Sequence, residues 1–369
     1  MKEKRILFLV LTAFSHTGGI EKFNRALIKA LMDLSSTLSL RNSFAGMYDA
    51  VVDDRYTASA SYRLLKGNKV RFVVSSVLQA FQQDVIILGH LNLALIGVLM
   101  KLFAPQKKLI VICHGIEVFD PVSGWKKRAL QQADQVLAVS SFTKQQLILK
   151  QGLHAEKITV FPNTIDPFFQ LPSSFVKPAY LQQRYGISAE EKIIFTLTRL
   201  NSSEGYKGYD TLISVLPQLI QQNIPFKYIL AGKADAAELQ RMQTLIASLG
   251  LHNKVMMPGF LADEEITDHY LLADVFVMPS KGEGFGIVYL EAMACGLPVI
   301  AGNKDGSTEA LQFGELGTLI DPDSEEELAS ALVKVLGKQH EPKQVQQNML
   351  QYFSFEKFKE RLKNVVETV

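Results

Sequence analysis

Short, unbroken apolar runs punctuate this chain, and longer stretches with apolar residues three or four apart lie between them. In the first half the runs are Ile6–Leu11, Val70–Val74, Val85–Leu88, Leu109–Cys113, Val136–Val139 and Ile158–Phe161. A strand that is apolar at successive positions is buried on both faces, and such strands alternating with helices make a parallel sheet. The alternation restarts with Ile193–Leu197, Tyr228–Ala231, Lys254–Met257, Val275–Met278, Val299–Ala301 and Gly317–Ile320. Two sets of similar make-up predict an α/β protein of two doubly wound, Rossmann-like domains. The length of 369 residues agrees, because one hydrophobic core rarely supports so long a chain.

The stretch from Pro162 to about Tyr185 is rich in Pro and Ser and has weak periodicity, so it reads as the seam. The tail, Tyr352–Val366, reads as one amphipathic helix. The first fourteen residues, basic and then apolar, imitate a leader peptide. No small-x-small site follows, and Gly18-Gly19 comes instead, so Ile6–Leu11 is read as the first strand. The apolar stretch Val85 to Ala104 is interrupted by Gly89, His90, Asn92, Gly97 and Lys101, which suits a strand and a helix better than a membrane span.

Composition narrows this little. Hydrophobic residues make up 47% and charged residues 21%, as in an ordinary packed protein. A formal charge of +2 does not argue for nucleic acid. The two cysteines, Cys113 and Cys295, have neither CxxC nor metal-ligand spacing, and a reducing, cytoplasmic location follows.

The segment Lys281 to Ile300 carries the most chemistry. Glu283 and Glu291 have seven residues between them, Gly282, Gly284 and Gly286 surround the first acid, and a helix-forming run follows. With Asp274–Pro279 ahead of it as a strand, the order is strand, glycine loop, helix. Unpaired N–H groups and the positive end of a helix dipole then converge on one point, an anion site. Acids beside it can hold hydroxyls, so the ligand this chemistry describes is a phosphate with a sugar attached. Two other readings are a paired-carboxylate hydrolase and a glycine-rich turn whose acid merely meets the helix dipole.

Other candidates also follow predicted strands, where open α/β sheets bind ligands, and they point to one shared cleft between the domains. Gly18-Gly19 allows close backbone approach to a ligand, or is a plain βα turn. His114 can donate a hydrogen bond or move a proton, though a lone histidine is more often structural. Arg199 and Lys207 could neutralise a diphosphate or stand solvated on the surface. Asp321-Pro-Asp323 is read as the entry to a helix rather than a metal site. Lys101, Lys107, Lys108 and the Lys126-Lys-Arg128 cluster suggest either contact with an anionic membrane surface or solvated helix faces.

Together these segments resemble glycosyltransferase family 4, retaining enzymes with the GT-B fold. Glu283 to Ile300 resembles that family's E-x7-E region, Arg199 with Lys207-Gly208 its diphosphate-binding pair, and Gly18-Gly19 its N-terminal loop. Ala133 to Ser141, Phe161-Pro-Asn163 and Ile165-Asp166 are similar to further family segments. Thr164 and Thr198 stand where the family often has glycine, and Asn201 to Tyr206 lengthen the interval between the two cations. The resemblance implies a GT-B fold of residues 1–165 with 352–369, and 166–351, the C-terminal helix crossing back to the first domain.

It further implies that Arg199, Lys207 and the backbone of Phe285, Gly286 and Ile287 hold the diphosphate, and that Gly284 belongs to the donor-binding loop. Gly18 and Gly19 would lie near the donor phosphate. Glu283 would touch sugar hydroxyls, Glu291 the ribose, His114 the transferred sugar, and the Leu261 backbone the base. Glu283, His114, Arg199 and Lys207 would be catalytic. The expected reaction moves a hexose-type sugar from a UDP- or GDP-linked donor to a glycan or lipid-linked glycan acceptor, with retention and no cofactor or metal, in cell-surface polysaccharide or glycolipid synthesis. The partners expected are that donor and acceptor, with peripheral membrane contact on the inner face of the plasma membrane and no nucleic acid. A hydrolysing nucleotide-sugar epimerase and a non-catalytic sugar-nucleotide binder are the alternatives.

Overall fold

Every apolar run but one becomes a strand in the computed structural model, which describes residues 3–369 of the chain. The chain divides into two compact units, one holding the chain up to Phe169 together with Phe353–Val369, the other Gln170–Tyr352. The first has strands β1 (Lys4–Val10), β2 (Leu40–Gly46), β3 (Tyr62–Leu64), β4 (Val85–Leu88), β5 (Lys108–Cys113), β6 (Gln135–Ala138) and β7 (Ile158–Val160). Its helices are α1 (Gly19–Leu38), α2 (Lys69–Ala80), α3 (Ala94–Phe103), α4 (Gly124–Gln132) and α5 (Ser141–Gln151). The second has β8 (Lys192–Leu197), β9 (Phe226–Ala231), β10 (Val255–Gly259), β11 (Val275–Met278), β12 (Val299–Gly302) and β13 (Thr318–Ile320). Its helices are α6 (Ala179–Arg184), α7 (Tyr209–Gln221), α8 (Ala236–Ser248), α9 (Asp263–Leu272), α10 (Ile287–Ala294), α11 (Ser307–Ala310), α12 (Glu325–Leu336) and α13 (Pro342–Phe353); α14 (Phe355–Thr368) closes the chain.

Each unit is built on a wholly parallel sheet, ordered β3-β2-β1-β4-β5-β6-β7 in the first and β10-β9-β8-β11-β12-β13 in the second. Central strands bury every position, as β4 (Val85–Leu88) and β11 do, and this makes them legible as unbroken apolar runs. Strand order reverses between β1 and β4, and again between β8 and β11. Helices leave opposite faces at such a point, and a crevice opens beyond the strand ends. The residues after β1 and β4, and after β8 and β11, therefore line the natural ligand positions of the two units.

Three expectations are corrected. Val70–Val74 is helical: the Asn68 side chain accepts the Arg71 N–H and opens α2, and Phe72, Ser76 and Ala80 are buried four residues apart. Strands β2 and β3 lack a continuous apolar run, and Arg41, Asn42 and Ser43 interrupt β2. The tail is two helices, not one. At Ser354 the backbone turns extended and the serine side chain caps α14, while Thr164 Oγ and the Ile165 N–H both donate to the Phe353 carbonyl. The last helix then packs on α1, with Phe358 meeting Phe23 and Phe161 edge-on at 5.6 and 4.8 Å.

Candidate active site

In the second unit, β11 delivers the chain to the glycine loop and α10. Gly286, at φ 87°, sits at the helix entrance in a conformation that disfavours side chains, and an added Cβ would lie 2.3 Å from the Tyr289 ring. No side chain caps this helix and no acid lies in its first turn, so its leading N–H groups have no side-chain anion of their own. The Tyr289 hydroxyl donates to the Met278 carbonyl at 2.9 Å and fixes the helix against the strand end.

The loop after β8 meets this one. The Lys281 N–H donates to the Tyr206 carbonyl at 2.9 Å, and the Lys207 ammonium donates to the Glu283 carboxylate. Lys207 is only 9% exposed. Burial pulls its ammonium down, but the adjacent Glu283 charge and Tyr206 outweigh that and leave it above its ordinary range. The ammonium also lies 5.2 Å from the Tyr206 ring centre, a cation–π contact. Arg199 goes elsewhere: its side chain is 72% exposed and pairs with Glu204 at 2.8 Å. The two expected cations thus meet different acids. The residues that lengthen this interval supply both Glu204 and Tyr206. Burial pushes the Tyr206 hydroxyl up, with the charges of Lys207, Glu204, Glu283 and Arg199 acting on it in opposing senses.

Asp305 was not singled out in the sequence. Its carboxylate accepts the Glu283 N–H at 2.6 Å and the Ser307 N–H at 2.9 Å. Burial, with the Glu283 charge adding to it against those hydrogen bonds, pushes it up to about 6. Gly306 donates its N–H to the Glu283 carbonyl, and an added Cβ there would sit 2.0 Å from the Gly284 carbonyl oxygen. The signal available was position, since Asp305-Gly306 follows the strand run Val299–Ala301. Phe285 and Ile287 are buried. Glu291 is buried too, 2% exposed, and accepts from the Tyr270 hydroxyl at 3.2 Å. Leu261 is buried just past β10, the sheet edge two strands from β8.

In the first unit, Gly18 and Gly19 open α1, which has no side-chain cap. The loop ahead of them is held by Asp49, fully buried, which accepts the N–H groups of Ala13, Phe14 and Ser15 and the hydroxyls of Thr12 and Tyr62. His114, after β5, is half-buried. Its Nε2 meets the Gly89 carbonyl at 2.8 Å, so Nε2 carries the proton, and its backbone N–H donates to Glu117 at 2.6 Å. His90, another residue not singled out, stacks on it with ring centres 6.0 Å apart. The His90 Nδ1 accepts the Asn92 N–H at 2.9 Å. Burial, helped by the His114 and Lys126 charges and opposed by Glu117, pulls its ring down to about 4.

Asp321 and Asp323 pair with Lys304, Asp323 also with Lys281, and Ser324 caps α12. Among the described residues no group of His, Cys, Asp or Glu side chains is placed to hold a metal ion. Cys113 and Cys295 are free and buried. Lys101 and Lys108 both pair with Asp134, at 2.6 and 3.6 Å. No helix among the described residues is long and apolar enough to cross a membrane.

Two parallel α/β units, one carrying an uncapped helix behind a glycine loop with a buried lysine, define a two-domain, Rossmann-like architecture. Residues 180–351 match the model described as Glycosyl transferases group 1, and residues 17–168 match Glycosyltransferase Family 4. The chain belongs to glycosyltransferase family 4, with the GT-B fold. It is similar to the GDP-mannose-dependent alpha-(1-6)-phosphatidylinositol monomannoside mannosyltransferase of Mycolicibacterium smegmatis, 31% identical over 260 residues, 66% of this chain and 64% of that one. It is also similar to mannosylfructose-phosphate synthase of Agrobacterium fabrum, 30% identical over 210 residues, 55% of this chain and 45% of that one. The chain thus spans less than two thirds of either relative's length. A crystal structure of Anabaena Alr3699/HepE in complex with UDP and glucose shares the fold, with a TM-score of 0.78 and 23% identity over 99% of both chains.

Proposed function

We propose that this chain transfers a hexose from a nucleoside diphosphate sugar to a hydroxyl of a glycan or lipid-linked glycan, with retention of configuration and without a metal ion. The observation that carries the proposal is the buried Lys207–Glu283 pair set before the uncapped entrance of α10. As the glycosidic bond breaks, charge grows on the departing diphosphate. The Lys207 ammonium and the N–H groups of Phe285, Gly286 and Ile287 meet it there, and Arg199 exchanges Glu204 for phosphate oxygen. Donors fixed before reaction act without reorganisation, and one is worth about 3 kcal/mol or more. Glu283, relieved of part of its hold on Lys207, accepts from sugar hydroxyls. Glu291 takes the ribose and the Leu261 backbone the base, Gly18 and Gly19 approach the donor phosphate, and His114 offers Nδ1 to the transferred sugar.

The donor class is supported by the names of its relatives, a GDP-mannose-dependent enzyme and a UDP-binding structural neighbour. The lipid-linked acceptor draws on the first of these. Front-face attack, with a departing phosphate oxygen taking the acceptor proton, is part of the proposal, as is cytoplasmic work in cell-surface polysaccharide or glycolipid synthesis. The test is nucleotide release from UDP- and GDP-hexoses with and without a mannoside or lipid-linked acceptor. Release that needs an acceptor and yields a retained linkage supports transfer. Conversion or hydrolysis of donor alone assigns the epimerase class, and donor binding without turnover under any acceptor assigns a binder.

A further inference from the structure

The loop between β8 and α7 carries its own counter-ion for the phosphate site. Arg199 Nη2 meets Glu204 Oε1 at 2.8 Å, and the arginine is open to water while the acid is largely shielded. The second oxygen, Glu204 Oε2, is buried and has no hydrogen-bond partner among the described residues. A shielded carboxylate oxygen left unpaired costs stability, so the fold alone gives no reason for an acid here. The backbone around it is pinned. The Glu204 N–H donates to the Asn201 carbonyl at 2.7 Å, and the Glu204 carbonyl accepts the Lys207 N–H at 3.1 Å. One tight turn, Gly205–Lys207, thus has the acid at its start and the buried lysine at its end.

The Glu204 charge reaches Lys207 and Tyr206 as well as Arg199. A carboxylate paired with one of the two cations and felt by the other takes the electrostatic place of a diphosphate. Arginine meets carboxylate and phosphate through the same forked N–H face, so the two are direct rivals for it. An ion pair open to water on one side is weak, and an incoming diphosphate can displace it. The acid sits in the same loop as Arg199, so it is always at hand to compete again when the anion leaves. It belongs to the segment Asn201–Tyr206 that lengthens the interval between the cations, and the competitor therefore comes with the longer loop.

We propose that Glu204 is a positioning residue that competes with diphosphate for Arg199. It holds the guanidinium in the donor-free protein and takes it back as the nucleoside diphosphate product departs, which lowers affinity for donor and product alike. The inference rests on the reading of this site as one for a nucleoside diphosphate sugar.

Calorimetric titration of the full chain with UDP and GDP tests it, across the parent, Glu204→Gln, Arg199→Ala and the double variant. Glu204→Gln is expected to tighten binding about two- to fivefold, the range that loss of an exposed pair allows. Arg199→Ala weakens binding, and adding Glu204→Gln to it leaves that weaker value in place, because the acid then has no guanidinium to withhold. In steady-state kinetics the KM for the sugar nucleotide falls with Glu204→Gln, and inhibition by the diphosphate product strengthens by a similar factor. A merely structural role would loosen binding instead. Glu204→Ala, carried through the same series, gives the same sign and covers the case in which the glutamine variant folds poorly. A Glu204→Gln variant that binds like the parent or more weakly overturns the proposal. So does equal tightening in the Arg199→Ala background, which is a plain loss of negative charge. A parent that binds neither UDP nor GDP overturns the diphosphate site and the competition together. A parent that binds, and weakens with Arg199→Ala, keeps the site even where Glu204→Gln overturns the competition.

Discussion

Lys207 donates its ammonium to the carboxylate of Glu283, 76 residues later, and both side chains are largely shielded from water. The pair joins the loop after β8 to the loop after β11, on the two sides of the second unit's strand-order reversal. Breaking such a pair leaves one charge buried without its partner, whereas replacing both by apolar groups is far milder. Lys207→Met alone is expected to cost about 3–5 kcal/mol in urea unfolding, and Lys207→Met with Glu283→Leu distinctly less than the sum of the single changes. Additive single effects would show that the contact contributes nothing to the fold. Every variant lacking Lys207 should lose the thermal shift with UDP and GDP sugars.

Arg199 should separate function from stability. Its side chain is 72% exposed, and its partner Glu204 lies in the same loop. Arg199→Ala is expected to change stability by no more than about 0.5 kcal/mol, yet to weaken diphosphate binding by roughly tenfold or more. Calorimetric titration with UDP and GDP reads this directly. Unchanged affinity would remove Arg199 from the site.

The buried His90 ring makes the first unit acid-sensitive. Its folded value of about 4 lies below the usual 6.5, so between those limits the unfolded chain binds a proton that the folded chain does not. Stability supplied by neutral His90 is full above about pH 6.5 and is lost as pH falls towards 4. His90→Asn should flatten that part of the stability curve, measured by urea unfolding at a series of pH values. A curve as steep as the parent's would assign the acid loss to other groups.

Gly306 is held by sterics rather than by backbone conformation. A methyl group there meets the Gly284 carbonyl oxygen at 2.0 Å, and a backbone atom cannot rotate aside. Gly306→Ala is expected to cost about 1–3 kcal/mol and to weaken donor binding by displacing the loop around Glu283. Gly205→Ala is the control, because nothing lies within 4 Å of its added Cβ. Thermal melts and donor titrations of both variants test the contrast.

The strands were legible wherever burial on both faces left an unbroken apolar run, as at Val85–Leu88 and Val275–Met278. β2 was hidden because Arg41, Asn42 and Ser43 break the run. Val70–Val74 misled for the opposite reason, since its apolar residues partly serve the exterior of a helix. At the site, residue type and strand-end position brought out Lys207, Glu283 and the glycines, but not their pairing. The acid that meets Lys207 comes from a loop 76 residues away, so the Lys207–Glu283 pair left no local sign, and Glu204 taking Arg199 within one loop could not be told from residue type alone. Asp305 and His90 followed the strand-end rule like the others, yet neither stood beside a glycine pair or a second acid to draw notice.

Helix α14 lays Phe358 against Phe23 and Phe161, which are some two hundred or more residues earlier in the chain. During synthesis, then, the first unit emerges with those two aromatic rings uncovered. They stay so until the whole of the second unit has been translated. Ribosome-bound intermediates therefore carry a sticky surface for most of elongation, and folding from the N-terminus cannot finish in the order in which the chain is made.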